Sequence, residues 1–393
     1  MARTPVAEHE GRVRALLAPL RTRDAETVPL AAALGRVLAG PVVSPINLPP
    51  FANSQMDGFA VRSTEVPGLL PIVGSVAAAA GTPEPLEPGT AVRIMTGAPL
   101  PTGADAVVPV EATTVADDSV AIPGEWPAGT YIREVGSDLA AGDQLLPGGL
   151  RLASRHLAAL AAAGLTEVSV ASRVRVAIIS TGSELVAPGE ELGPGQISDS
   201  NGPALVAAAR DVDAEIVLEG RVVDDREAFE ALLVAATAAD AELILTSGGI
   251  SQGDYEVVRE TLEPYGAIVD VLAMQPGGPQ AIATFRDVPV VCFPGNPVSS
   301  QLSFLLFVEP LLREIAGLPD RIRVTRVLEA PLTSVAGKRQ FLRGQALPDG
   351  RVATVGGSSS HLVAALAAAD VLLDVPEDAT ELPAGASVET WEL

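Results

Sequence analysis

The first chemical signal comes from three short turns rich in Gly, Ser and Thr, each following an apolar run. Ser180-Thr181-Gly182-Ser183-Glu184-Leu185 follows residues 176–179, and Thr246-Ser247-Gly248-Gly249-Ile250-Ser251 follows Leu243-Ile244-Leu245. Pro294-Gly295-Asn296-Pro297 follows Val290-Val291-Cys292-Phe293. Small residues at the carboxyl end of a strand leave backbone N–H groups reachable, and such groups bind phosphates and other anions. Taken singly, each is an ordinary strand-to-helix turn. Three in succession predict a ligand site in which Thr181, Gly182, Ser247, Gly248, Gly249, Pro294, Gly295, Asn296 and Pro297 form the cradle.

Carboxylates accompany these turns: Glu184, Asp199, Asp224, Asp225 and Asp254. Oxygen ligands spread over several loops suit Mg²⁺, which keeps much of its water and bridges a few carboxylates to substrate phosphates. An equally good reading makes Asp199 and Asp254 helix N-caps and Asp225 a partner of a helix dipole. Two loops lie further upstream. Residues 49–60 contain Asp57-Gly58, and residues 93–99 contain Thr96-Gly97, where an expected strand ends in a small polar turn. In isolation these are a turn and a strand-to-loop transition.

The elements that must position these residues follow from hydrophobic periodicity. Between residues 173 and 317, buried-type runs at 174–179, 215–222, 242–245, 268–272 and 288–293 alternate with helical stretches at 203–210, 226–239, 254–262 and 297–316. That alternation predicts a three-layer α/β domain, a mostly parallel sheet with helices on both faces and its ligand crevice at the strand carboxyl ends. Residues 42–147 read as a β-rich module, with runs at 70–77, 90–95 and 106–110 punctuated by Pro and Gly. Helical spacing is expected at 6–20, at 29–38 and at 154–163. Residues 318–393 read as short strands with one Ala-rich helix at 361–369, a second β-rich domain.

Composition bounds the rest. A length of 393 residues calls for several cores, and 48% apolar residues can fill them. No long uncharged apolar run is present, and the N-terminal residues lack the pattern of a secretory signal, so a cytoplasmic protein with no membrane partner is expected. A net charge of −23 opposes nucleic acid as a partner, and it means that an anionic substrate needs a local cation or clustered N–H groups. One cysteine, Cys292, excludes an internal disulfide and reads as a buried thiol. Three scattered histidines make no zinc-type spacing.

At this point the residues carry a resemblance to the molybdopterin molybdenumtransferase family, the MoeA-type molybdenum insertases whose relatives form part of gephyrin. The likeness runs in order through residues 33–38, 50–62, 93–99, 180–185, 247–249, 293–299 and 339–344. It implies an elongated homodimer of multidomain α/β subunits. The parts would be a linker domain (1–45 and 148–172), an inserted β-rich domain (46–147), a molybdopterin-binding α/β domain (173–318) and a C-terminal β-barrel-like domain (319–393). The family's composite active site lies between the α/β domain of one subunit and the inserted domain of the other. Carried over by position, it implies catalytic roles for Asp57, Thr96, Asp138 and Glu184, and Mg²⁺ binding by Asp224, Glu184 and Asp254.

The resemblance also implies the reaction: insertion of molybdate into adenylylated molybdopterin with release of AMP, both being substrates. Molybdopterin adenylyltransferase and molybdoenzymes or their chaperones are then possible partners. Two rival readings share the fold, an adenylyltransferase acting one step earlier and a non-catalytic molybdopterin-binding scaffold or carrier. The chain departs from the family where many members carry Lys-Pro-Gly-Lys-Pro, since it has Gln275-Pro276-Gly277-Gly278-Pro279 and so lacks both cations. Gln275 keeps an amide donor there. Ser183 stands where the family often has Asp, and the run Ser358-Ser359-Ser360-His361 resembles a segment with a functional serine.

Overall fold

The computed structural model describes residues 3–250 and 257–393, so Ser251 and Asp254 lie outside the described residues. The chain forms two compact units, Met1–Ala25 with Ala171–Leu393, and Glu26–Val170.

The first unit is built on six strands: β1 (Arg175–Thr181), β2 (Glu215–Val222), β3 (Leu243–Ser247), β4 (Ile268–Val271), β5 (Pro279–Phe285) and β6 (Val288–Phe293). Their spatial order is β2-β1-β3-β6-β5-β4. β2, β1, β3 and β6 are parallel, while β5 and β4 extend the sheet antiparallel. Strand alternation decides which residue serves which face. Val176, Ile178, Leu243, Leu245, Val291 and Phe293 pack with the N-terminal helix Val6–Leu17 and the helix Asn201–Asp211. Ala177, Ile179, Ile244, Val290 and Cys292 pack on the other side with Phe229 and Leu233 of the helix Arg226–Ala238. Burial on both faces explains why these strands read as continuous apolar runs, and it makes the domain three layers deep. Burial also pushes the Cys292 thiol up to about 12, as an inert core residue requires.

One strand of this sheet has no counterpart in the expected pattern. β5 begins on a proline, a position strands tolerate only at an end or edge, and it turns into β6 through Arg286 and Asp287, whose φ values are 48° and 70°. A tight hairpin with both central residues left-handed usually announces itself as Asn-Gly or Asp-Gly. Here Arg-Asp takes that geometry, which leaves the hairpin silent in the sequence.

Residues 323–392 close into a barrel. Arg339–Ala346 pairs with Arg351–Thr354 and with Val371–Val375; Arg323–Leu328 pairs with Arg351–Thr354 and with Ser387–Glu392; Ser387–Glu392 completes the ring on Val371–Val375. Leu328, Leu342, Val352, Val371, Leu373 and Val388 fill it. The short strand Met274–Gln275 adds to it in parallel, alongside Arg339–Ala346, and so ties the α/β part to the barrel.

In the second unit a six-stranded sheet has the order Ala106–Pro109, Gly58–Val61, Ala91–Ile94, Gly68–Val76, Ser119–Ile122, Thr114–Ala116. Gly58 lies between two neighbours so closely that a Cβ would sit 2.1 Å from the Val108 carbonyl oxygen. The helix expected at 29–38 is not formed. Leu30–Ala32 makes a single 3-10 turn, Gly35 takes φ +76°, and Gly35 and Leu38 donate to the carbonyls of Leu152 and Leu150. Long-range pairing has taken the backbone groups that a helix would have used. No helix among the described residues is long and apolar enough to cross a membrane.

Candidate functional site

β1, β3 and β6 are neighbours in the parallel part of the sheet, and their pairing runs to Ser180 opposite Ser247 and Ser247 opposite Phe293. Their three turns therefore emerge side by side at the carboxyl edge. Asn201 ties two of them together: its Nδ2 donates to Ser247 Oγ at 2.8 Å and to the Gly295 carbonyl at 2.7 Å. Gly248 N–H donates to the Phe293 carbonyl at 3.0 Å. A Cβ on Gly248 would lie 2.3 Å from the Thr181 carbonyl oxygen, and its φ of +101° is glycine territory, so the turn admits no side chain.

These turns, the 275–279 segment and the barrel segment 358–361 line one cleft of about 1040 Å³. Glu184 and Asp224 stand on its wall. Asp224 is held by Ser183, whose N–H and Oγ both donate to Asp224 Oδ2 at 3.1 Å, while Asp224 N–H donates back to Ser183 Oγ at 3.0 Å. Asp199 and Asp225 are spent on structure. Asp199 Oδ1 accepts from the N–H groups of Asn201 and Gly202 at 3.0 Å each, and Asp225 caps its helix by accepting from Ala228 N–H at 2.7 Å. Among the described residues no three His, Cys, Asp or Glu side chains converge as a ready-made metal cage. Glu184 and Asp224 are nonetheless the oxygen donors Mg²⁺ takes when water and substrate phosphates complete its shell, so the donor set fits such an ion. Gln275 Oε1 accepts from Gln340 Nε2 at 3.1 Å, which leaves its amide N–H groups as donors.

The second unit presents a different arrangement. The loop ending at Asp57 is clamped between two others: Gly97 N–H donates to the Ser54 carbonyl at 2.9 Å, and Gln55 N–H donates to the Tyr131 carbonyl at 2.9 Å. At its tip Asp57 Oδ1 accepts from Thr96 N–H at 2.7 Å and Thr96 Oγ1 at 2.8 Å. The Thr96 backbone N–H, then its hydroxyl, hold the exposed Asp57 carboxyl below the ordinary aspartate value. Asp138 belongs to the same unit, exposed on a turn whose backbone N–H donates to the Leu48 carbonyl at 2.9 Å.

Of the positions picked out in the sequence, Thr181, Gly182, Glu184, Asp224, Gly248, Gly249, Gln275, Pro294, Gly295, Asn296 and Pro297 line the cleft. Ser247 is buried and bonded to Asn201. Asp57, Thr96 and Asp138 lie in the second unit, and Asp254 lies outside the described residues. Among the wall residues given no role from the sequence are Arg3, Asn201 and Lys338. Asn201 carried no motif, and Arg3 lies far from the turns in the chain. Lys338 did carry a signal, for it is the only lysine in the chain.

Comparison with known proteins agrees with this architecture along the whole chain. Residues 4–164 match the MoeA N-terminal region (domain I and II), residues 177–314 a probable molybdopterin binding domain, and residues 325–393 the MoeA C-terminal region (domain IV). Molybdopterin molybdenumtransferase 2 of Mycobacterium tuberculosis is 45% identical over 407 residues, covering 99% of each chain. Molybdopterin molybdenumtransferase 1 of the same organism is 35% identical over 420 residues, covering 98% of this chain and 97% of that one. The crystal structure of a molybdopterin biosynthesis MoeA protein from Pyrococcus horikosii superimposes with a TM-score of 0.83 at 32% identity, over 100% of this chain and 99% of that one. With full-length likeness of this degree, and with the same order of α/β domain and closed C-terminal barrel, the chain belongs to the MoeA family of molybdopterin molybdenumtransferases.

Proposed function

We propose that the chain is a molybdopterin molybdenumtransferase that uses adenylylated molybdopterin and molybdate and releases AMP. The single observation that carries this reading is the convergence of three small-residue turns, two carboxylates and Gln275 on one cleft, in a chain whose full-length relatives bear that name. In the reaction the P–O–P bond is hydrolysed to free AMP, and two sulfur–molybdenum bonds form as oxygen leaves molybdate as water, with no net electron transfer.

The residues divide the work. The Ser247-Gly248-Gly249 and Gly295-Asn296 turns hold the pterin and its phosphates through backbone N–H groups. Thr181 and Gly182 extend that cradle along β1. Glu184 and Asp224 would hold Mg²⁺, with the role that the family resemblance gives Asp254 lying outside the described residues, and the ion would supply Lewis-acid neutralisation of the phosphoanhydride. Ser183 fixes the Asp224 carboxylate in place for that task. Asp57, kept ionised by Thr96, orients molybdate or water through hydrogen bonds, and Asp138 acts from the same inserted domain. The site is composite, with Asp57, Thr96 and Asp138 supplied by the opposing protomer of a homodimer. The cofactor then passes to a molybdoenzyme or its chaperone, and the adenylylated substrate comes from an adenylyltransferase.

The test is AMP release together with reconstitution of a molybdenum-free apoenzyme. The wild type should need molybdate and Mg²⁺ and should form no adenylate from ATP and molybdopterin. Asp224→Ala and Asp57→Ala should each lower AMP release by about a hundredfold, the usual scale for removing a positioned catalytic group. Unchanged turnover in both variants would remove these assignments.

A further inference from the structure

The N-terminal segment joins the first unit as an extended backbone laid along the edge strand β4 and the residues after it. Thr4 N–H donates to the Val271 carbonyl at 3.0 Å, and Ala273 N–H donates to the Thr4 carbonyl at 2.8 Å, a parallel bridge opposite Leu272. Leu272 N–H in turn donates to the Gly278 carbonyl at 2.7 Å. The N-terminal segment and the 275–279 turn are therefore fastened to one short stretch, residues 271–273. A side-chain anchor reinforces the fastening. The buried Asp270 accepts from Thr4 Oγ1 at 2.9 Å and from Arg12 Nη1 at 2.7 Å, and its other side-chain neighbour is His9, whose Nδ1 lies 3.1 Å away. Val6 and Val13 of the helix that follows are buried in the same core as Leu272 and Met274. Placement of residue 3 is thus a consequence of the fold, and it puts Arg3 on the wall of the cleft beside Val271, Leu272, Gly278 and Pro279.

A chain of net charge −23 repels anions at long range, and Glu184 and Asp224 add negative charge on the cleft wall itself. The 275–279 turn offers an amide at Gln275 and no cation. Arg3 is exposed, and among the described residues no carboxylate pairs with its guanidinium. Elsewhere in the same unit arginines are matched: Arg12 with Asp270, Arg21 with Glu314, Arg23 with Glu242 and Arg339 with Asp374. We propose that Arg3 is a ligand-binding residue of this cleft: the N-terminal segment carries a guanidinium to the rim beside the 275–279 turn, where it contacts an oxyanion of the bound ligand. The oxyanion is a phosphate group or a tetrahedral metal oxyanion, and the inference rests on the anionic substrates proposed above. A planar guanidinium suits the task, since it presents two parallel N–H donors to two oxygens of one anion and stays charged at every working pH.

The wild type has one lysine, so full-length Arg3→Lys labelled with ε-¹³C lysine shows one resonance more than the wild type, and that resonance reports on position 3. Inorganic pyrophosphate and molybdate are titrated in separate arms, with affinities measured by calorimetry. The added resonance should shift saturably. Binding should weaken about fivefold in Arg3→Gln, as loss of an exposed charge-assisted hydrogen bond predicts, and less in Arg3→Lys. Arg286→Gln removes the same charge just beyond the far end of β5, at the edge of the sheet away from the cleft, and should change affinity less than about twofold. A shift with pyrophosphate alone assigns the contact to the ligand phosphates, and a shift with molybdate alone assigns it to the metal oxyanion. Thermal midpoints matching the wild type separate loss of contact from loss of fold. No shift with either anion, a folded Arg3→Gln that binds as tightly as the wild type, or equal losses in Arg3→Gln and Arg286→Gln overturns the proposal. A wild type that releases AMP while Arg3→Gln keeps its anion affinity loses this inference alone. A wild type that binds pyrophosphate through Arg3 but never releases AMP loses the functional reading alone.

Discussion

Two carboxylates, one in each compact unit, are gripped in the same way and exposed in different ways. Asp57 accepts from the N–H and hydroxyl of Thr96 at 2.7 and 2.8 Å, and Asp224 accepts from the N–H and hydroxyl of Ser183 at 3.1 Å each. Asp224 returns a bond to the serine hydroxyl and forms part of a cleft wall; Asp57 gives nothing back and stands exposed at a loop tip. A small hydroxyl residue that donates twice to one oxygen holds a carboxylate in a set direction without a cation beside it. In one case the oxygen left over faces a site built around it. In the other the carboxylate stands exposed, and the proposed function assigns it to a composite centre.

The largest effects should come from breaking the frames behind the two carboxylates. Gly248→Ala places a Cβ 2.3 Å from the Thr181 carbonyl oxygen, and Gly58→Ala places one 2.1 Å from that of Val108. Each should destabilise its own unit by about 3 kcal/mol, read as a shift of the urea midpoint. Only Gly248→Ala should also abolish binding of the pterin substrate. Next in size, Asp57→Asn should lower kcat by about a hundredfold with substrate affinity kept, whereas Asp224→Asn should weaken substrate binding as well. Equal kinetic signatures in the two would erase the distinction drawn between them.

Smaller changes sharpen it. Thr96→Val removes a hydroxyl but leaves the backbone N–H, the larger cause of the shift, so the Asp57 carboxyl should move only partway up toward its ordinary value. A ¹³C titration of that carboxyl measures the movement, and no movement would show that the hydroxyl contributes nothing. The smallest effect concerns acid stability. Burial keeps the His9 imidazole below 6.5 despite its bond to Asp270. The unfolded chain therefore takes up that proton first. The contribution is intact above about pH 6.5 and is lost as pH falls from there to the folded value. Urea midpoints at pH 7.5 and pH 5 should differ less in His9→Gln than in the wild type.

How much of this could be read from residues alone differs by element. Strands β2 and β6 were legible to the residue: β6 because burial of its second half writes an apolar run, and β2, an edge strand, because Ile216, Val217 and Leu218 mark it between Glu215 and the polar residues that follow. The three turns were legible because they recur in series, each small-residue stretch directly following an apolar run. The hairpin at Arg286-Asp287 was not, since left-handed φ at two ordinary residues is imposed by the strands it joins. The 29–38 stretch misled because its periodicity is helical while its backbone bonds go to Leu150 and Leu152. Lys338 was visible as a count of one, yet its place on the cleft wall depended on which strand the barrel lays beside Met274–Gln275.

The residues by themselves settled the local chemistry: which turns could be bare backbone, which carboxylates accompanied them, and that the chain's charge calls for a local cation or clustered N–H groups around any anion it binds. Assembly settled the roles. Asp199, although it also lines the cleft, and Asp225 turned their carboxylates to helix N–H groups, while Asp224 is held on the cleft wall by Ser183. A side chain's partner is fixed by which distant segments the sheet and barrel bring within about 3 Å of it, and that proximity is a property of the folded whole.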